Sequence, residues 1–138
     1  MPAKDIFHTT VRQALIKDGW VITHDPLVIS MGGPDVYVDL GAEQPLAAEK
    51  GGRKIAVEIK SFVGASEVVD FERAMGQYVF YRALLAQAEP ERKIYLAVPQ
   101  RAFTGIFSLR MGQIVIADQK VALLVFDPQQ EVIIRWLD

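Results

Sequence analysis

Lys54-Ile55-Ala56-Val57-Glu58-Ile59-Lys60-Ser61-Phe62 is the stretch on which the fold assignment turns. Its residues alternate, with Ile55, Val57 and Ile59 directed one way and Ala56, Glu58 and Lys60 the other, the period-two pattern of a strand. Glu58 and Lys60 therefore project from one face about 6–7 Å apart. Gly64-Ala65-Ser66 then opens a long helix, with Ser66 as N-cap and Glu67 in the first turn, where a carboxylate favours the helix dipole. That helix is expected to run to about Gln87 and stop before Pro90, with Val68, Phe71, Met75, Tyr78 and Val79 as its core stripe.

Working outward, residues 3–18 read as an amphipathic helix, because Phe7, Val11, Ala14 and Leu15 recur at helical spacing and Gly19 suits its C-terminal cap. Trp20-Val21-Ile22-Thr23 reads as a short strand that His24-Asp25-Pro26 breaks. Met31-Gly32-Gly33-Pro34 is a turn cluster, and a strand over Val36–Leu40 follows. Along it Val36, Val38 and Leu40 share one face, and Tyr37 and Asp39 the other. A connection ending in Gly51-Gly52 folds this strand back on the Glu58 strand. Downstream, Ile94–Val98 is an apolar run without alternation, a strand buried on both faces. Phe103–Met111 is assigned to a helix. Val121–Phe126 and Val132–Trp136 form a hairpin about Asp127-Pro128-Gln129-Gln130. The order α-β-β-β-α-β, then a helix and a hairpin, predicts an α/β fold with a mixed sheet.

A chain of 138 residues implies one domain, 1–138. Fifteen basic against seventeen acidic residues give a net charge of −2, so bulk charge does not advertise a nucleic-acid partner. The lack of cysteine excludes a disulfide framework and thiolate zinc. No apolar run approaches the roughly 18–20 residues of a membrane span, and MPAKDIFHTT has no signal-peptide core. The expectation is a cytoplasmic protein without a membrane segment.

Glu-x-Lys on one strand face is by itself an ordinary ion pair. Asp39 changes its meaning, since the fold-back brings a second carboxylate to the same place. Two converging acidic oxygens suit a hard divalent cation, Mg²⁺ or Mn²⁺, and a neighbouring lysine can orient an attacking water or offset charge on phosphorus. Asp70, Arg73, Gln77 and Tyr81 form a polar stripe on the long helix. Asp70 and Arg73 read as solvent-facing, whereas Gln77 and Tyr81 can reach the same cleft and hold a phosphate or a water.

Asp39, Glu58-x-Lys60 and Gln77-x-x-x-Tyr81 together resemble the PD-(D/E)xK nuclease superfamily, in particular its RecB-like branch with a Q-x-x-x-Y helix. More closely, Lys4-Asp5-x-Phe7-His8, Lys17-Asp18-Gly19-Trp20, Thr23-His24-Asp25-Pro26-Leu27, Val57–Phe62, Tyr95-Leu96-Ala97-Val98-Pro99 and Val132–Trp136 resemble the XisH family across nearly the whole chain. The resemblance implies a restriction-endonuclease-like fold. It also implies a cyanobacterial factor controlling excision of the fdxN element during heterocyst development, beside a site-specific recombinase and a small partner, XisI. It assigns Asp39 and Glu58 as metal carboxylates, the Ile59 carbonyl as a further ligand, Lys60 as the catalytic lysine, and Gln77 and Tyr81 as cleft support. The superfamily's proline–acid pair is absent at Asp39, which follows Val38, while a literal Pro34-Asp35 lies upstream. Asp35 is thus the alternative metal carboxylate, although its turn position favours Asp39. The family role does not require that its members cut DNA; a non-catalytic factor binding DNA or the recombinase is the alternative function.

His8 lies at the edge of the first helix's buried face and is either a structural histidine or a polar residue lent to the cleft. His24 belongs to a turn. Lys50, Arg53 and Lys54, with Lys60, form a modest basic cluster that can contact phosphates or simply be a solvated edge. With the acidic balance of the chain, DNA binding then calls for a partner's basic surface or a homo-oligomer that doubles the patch.

Overall fold

The computed structural model describes residues 4–44 and 52–138. In chain order the elements are α1 (His8–Lys17), β1 (Val21–His24), β2 (Leu27–Ile29), β3 (Val36–Val38), β4 (Leu40–Gln44), β5 (Arg53–Ile59) and α2 (Glu67–Ala88). They continue as β6 (Arg92–Pro99), α3 (Gln100–Thr104), a 3-10 turn (Ile106–Ser108), α4 (Arg110–Gln119), β7 (Leu123–Asp127) and β8 (Val132–Leu137). One sheet has six strands in the order β1-β4-β5-β6-β7-β8; β2 and β3 pair separately as a two-stranded ribbon. The strands β5, β6 and β7 run parallel, and the pairings β1–β4, β4–β5 and β7–β8 are antiparallel. The sheet is mixed, as expected, and its leading half keeps the α-β-β-β-α-β order with the ribbon inserted between β1 and β4.

The alternation in β5 works as its sequence implies. Ile55, Val57 and Ile59 join Val11, Leu15, Leu40 and Tyr95 in the core beneath α1. Ala56 joins the core on the opposite face, with Phe71, Met75 and Tyr78 of α2. Burial on both faces also holds for β6, where Ile94, Leu96 and Val98 face α2 while Tyr95 and Ala97 face α1. Ser66 caps α2, its hydroxyl accepting the Val69 N–H at 3.3 Å. The α2 stripe begins only at Phe71: Val68, in the first turn, is exposed.

Three expectations need correction. The strand over Val36–Leu40 is two strands broken at Asp39, so Val38 packs under α2 and Leu40 under α1, on opposite sides of the sheet. The chain leaves the ribbon and enters the main sheet at that residue. Leu27–Ile29 forms a strand where only a break and a turn are expected. The helix over Phe103–Met111 is divided at Gly105 and again at Leu109, whose ψ of 154° is extended, and α4 then continues to Gln119. Gly112 makes this packing possible, because a Cβ there would lie 2.2 Å from the Ile106 carbonyl oxygen. Among the described residues, no helix is long and apolar enough to cross a membrane.

Candidate active site

Glu58 is the next-to-last residue of β5, on the face that looks toward α2, and Asp39 sits at the corner between β3 and β4. The β4–β5 register pairs Leu40 with Val57, which sets Asp39 beside Glu58 on the same face. The corner is locked by the two residues themselves. Asp39 Oδ2 accepts the Ile59 N–H at 2.7 Å, and the Asp39 N–H points to Glu58 Oε1 at 3.4 Å. Lys60 Nζ lies 3.6 Å from Glu58 Oε2. Tyr37, Asp39, Glu58, Ile59, Lys60, Gln77 and Tyr81, with Lys4 and Asp5, line one cleft of about 180 Å³. The break in the predicted strand therefore falls on the residue that carries a carboxylate into this cleft.

Burial sets the electrostatics. Glu58 is pushed up to about 8, first by burial and then by the neighbouring Asp39 carboxylate, with Lys60 opposing. Asp39 is also raised, mainly by burial, against the pull of the Ile59 N–H, His8 and Lys60. Two such carboxyls in contact disfavour double ionisation unless a cation joins them. Tyr81 is pushed up to about 12 by burial and by the charges of Glu58 and Asp39, so at neutral pH its hydroxyl remains protonated and serves as a donor. Gln77 Oε1 is buried without a hydrogen-bond partner in the wall of this cleft. An orphaned acceptor there is costly unless a ligand or water completes it.

A hard divalent cation fits this donor set. Among the described residues no three His, Asp or Glu side chains are grouped to hold a metal ion, so the protein would contribute the two carboxylates Asp39 and Glu58, with Ile59 lining the same cleft. Sites of this kind suit Mg²⁺, which takes oxygen ligands and retains several waters. Asp35 is not an alternative here: it is exposed, accepts a hydrogen bond from Ser30 Oγ at 2.7 Å, and does not line the cleft.

The remaining candidates divide. His8 is buried behind the cleft rather than in its wall, its Nε2 2.6 Å from Asp25 Oδ1, and Arg12 holds the other Asp25 oxygen at 2.7 Å. It acts on the site only through its charge at Asp39. Of the basic cluster, Lys60 lines the cleft, but Arg53 and Lys54 do not. Arg53 and Lys54 begin β5, about 16 Å from Glu58 in the case of Arg53. Arg53 lies over the Trp20 ring at 5.3 Å, and Lys54 is 3.9 Å from Glu91. Strand direction separates them: the two ends of a seven-residue strand lie at opposite ends of the sheet's strands. Lys50 lies outside the described residues.

Two contributors escape sequence reasoning. Asp5 receives the Phe7 N–H at 2.9 Å and the Ser61 N–H at 3.2 Å, so one carboxylate ties the start of α1 to the end of β5. Arg101 donates to the carbonyls of Ser61 (2.9 Å) and Phe62 (3.0 Å), holding Phe62 in a left-handed conformation at φ 56°. Together they fix the backbone that follows Lys60. Tyr37 was discernible, since its alternation with Asp39 puts both on one face. Asp5 and Arg101 are brought in by tertiary contacts that no local pattern announces.

A family model described as XisH protein matches residues 1–134. The chain belongs to the XisH family. Its fold is close to two crystal structures. One is an XisH family protein from Nostoc punctiforme, with a TM-score of 0.89 and 43% identity over 97% of this chain and 100% of that one. The other is an fdxN element excision controlling factor protein from Anabaena variabilis, with a TM-score of 0.87 and 43% identity over 98% and 100%. The mixed α/β architecture with its closing hairpin is thus the XisH fold. A comparison with curated proteins returned no match.

Proposed function

We propose that this XisH protein is a DNA-processing factor that acts in the excision of an fdxN-type element and that its cleft hydrolyses phosphodiesters with Mg²⁺ or Mn²⁺. The observation that carries the reading is the convergence of Asp39, Glu58, Lys60, Gln77 and Tyr81, drawn from a strand corner, a strand end and a helix, on one open cleft. A divalent cation held by Asp39, Glu58 and the Ile59 carbonyl would supply Lewis-acid activation of the phosphodiester. Lys60, 3.6 Å from Glu58 and a quarter exposed, orients the attacking water and faces the charge that develops on phosphorus. Tyr81 donates its proton-bearing hydroxyl to a phosphate oxygen, and Gln77 Oε1 accepts from the attacking water.

The excision role rests on the similarity to the Anabaena variabilis factor, and the cyanobacterial, cytoplasmic setting on the same kinship. The acidic balance, and a cleft wall whose basic side chains among the described residues are Lys4 and Lys60, argue that DNA is presented by others, a site-specific recombinase and a small XisI-like partner, or a second copy of the chain. The test is incubation with branched, nicked and linear DNA and Mg²⁺ or Mn²⁺, with and without the partner. Cleavage that Glu58→Ala abolishes supports hydrolysis; its absence in every combination leaves a non-catalytic DNA- or recombinase-binding factor built on a nuclease fold.

A further inference from the structure

Arg92 is buried, as Glu58 and His8 are, among the described residues. It opens β6 opposite Lys54, about 13 Å along the sheet from the level of Glu58. Its Nη1 donates to the Ile55 carbonyl at 2.9 Å and its Nη2 to Glu89 at 3.2 Å, but Nε is buried without an acceptor. A buried guanidinium N–H with no partner is costly. Arg92 lines a hollow of about 240 Å³ together with Arg82, Lys93 and Lys120, and a second hollow of about 490 Å³ adjoins it, sharing Lys93, Lys120 and Asp138. Asp138 is the only carboxylate in either wall among the described residues. The rest of the wall is largely apolar, including Leu85, Pro90 and Ile94.

Lys120 adds an independent oddity. It ends α4 in the left-handed conformation, φ 51° and ψ 52°, a position that favours glycine or asparagine. Arg82 holds that turn in place by donating to the Gln119 and Lys120 carbonyls, while its guanidinium rests over the Tyr78 ring at 5.2 Å. Cations near helix C-termini ordinarily offset the dipole. That accounts for the charge, but not for a lysine where glycine is less strained, nor for a buried N–H left without a partner on a residue that lines the hollow.

We propose that this hollow is a binding site for a phosphate ester, separate from the acidic cleft. Arg92 Nε, Lys93 and Lys120 take the phosphate oxygens and the apolar wall takes the organic body. Phosphate suits the set better than carboxylate, because its higher charge and several oxygens can meet more than one of the cations lining the hollow. Lys93 now pairs with Asp138 at 3.2 Å, so a ligand exchanges one anion for another at that side chain.

The test titrates the protein at low salt with a nucleoside monophosphate, a 5′-phosphorylated dinucleotide and the same dinucleotide ending in a hydroxyl, following calorimetry and the Arg92 Nε–H resonance. Saturable binding is expected to move that resonance. Lys120→Gly and Lys93→Gln are each expected to weaken it about ten-fold, one charge-assisted contact's worth. Lys120→Gly should simultaneously melt higher, since it relieves the left-handed residue, and Glu58→Gln should bind as wild type does. Binding of the phosphorylated ligands alone identifies a monoester; equal binding of the hydroxyl-ended dinucleotide identifies a backbone diester. Lack of saturable binding at millimolar ligand, or a Lys120→Gly variant that melts higher and binds unchanged, overturns the site.

Discussion

Glu58→Gln in cation-free buffer should make the protein more stable at alkaline pH, by an amount that the burial of the carboxyl sets. A glutamate ordinarily titrates near 4.5, and in the fold this one is pushed to about 8. Because the folded-state value is raised, the folded protein binds more protons than the unfolded chain between those values, so wild-type stability falls as pH climbs from about 4.5 to 8 and is level above. The full displacement corresponds to about 5 kcal/mol when Glu58 is ionised. Glutamine keeps the shape and can still accept from the Asp39 N–H, but leaves Lys60 without its anion, a loss of up to about 1 kcal/mol at its partial exposure. Asp39 titrates with Glu58 and takes back part of the gain. The net expectation is about 2–4 kcal/mol of added stability at pH 9 and close to none at pH 4.5. The assay is urea unfolding of both proteins in chelator from pH 4.5 to 9. Parallel pH profiles, or a variant less stable at pH 9, would refute a buried carboxyl held against its charge. Saturating Mn²⁺ should reverse the order, stabilising wild type and not the variant.

Arg101→Ala should cost about 1–3 kcal/mol in denaturant unfolding, because two carbonyls beside Lys60 lose their donor. Its effect on Mn²⁺ affinity should be small, since no cation ligand changes. Gly112→Ala should lose more than about 2 kcal/mol in the same measurement, as its methyl would meet the Ile106 carbonyl and not a movable side chain. Arg53→Ala and Lys54→Ala, both distant from the cleft, should leave any Mg²⁺-dependent cleavage within two-fold of wild type in a gel assay.

Alternation in Lys54–Phe62 and the cap at Ser66 were enough to orient β5 and α2, because both are long, β5 divides its two faces cleanly between the two cores, and α2 presents its buried face to one of them. The corner at Asp39 was hidden. Val36, Val38 and Leu40 keep a strand's period, and only tertiary packing reveals that they serve two cores on opposite sides of the sheet. Leu27–Ile29 was missed because a three-residue strand between turn formers carries too little pattern to register. In α4, the β-branched run Ile114-Val115-Ile116 obscures a helix that a glycine contact and the Gly105 break define. The site residues were legible wherever chemistry and spacing coincide, as in Glu58-x-Lys60 and Gln77-x-x-x-Tyr81. Proximity in the sequence misled for Arg53 and Lys54, since a strand carries its two ends apart.

Diffraction at the manganese edge from crystals equilibrated with Mn²⁺ tests the cleft most directly. The account predicts an anomalous peak within coordination distance of the Asp39 and Glu58 carboxylates and the Ile59 carbonyl, lost in Glu58→Gln. A fully loaded crystal with no peak between those oxygens, or with manganese bound only elsewhere, would contradict it.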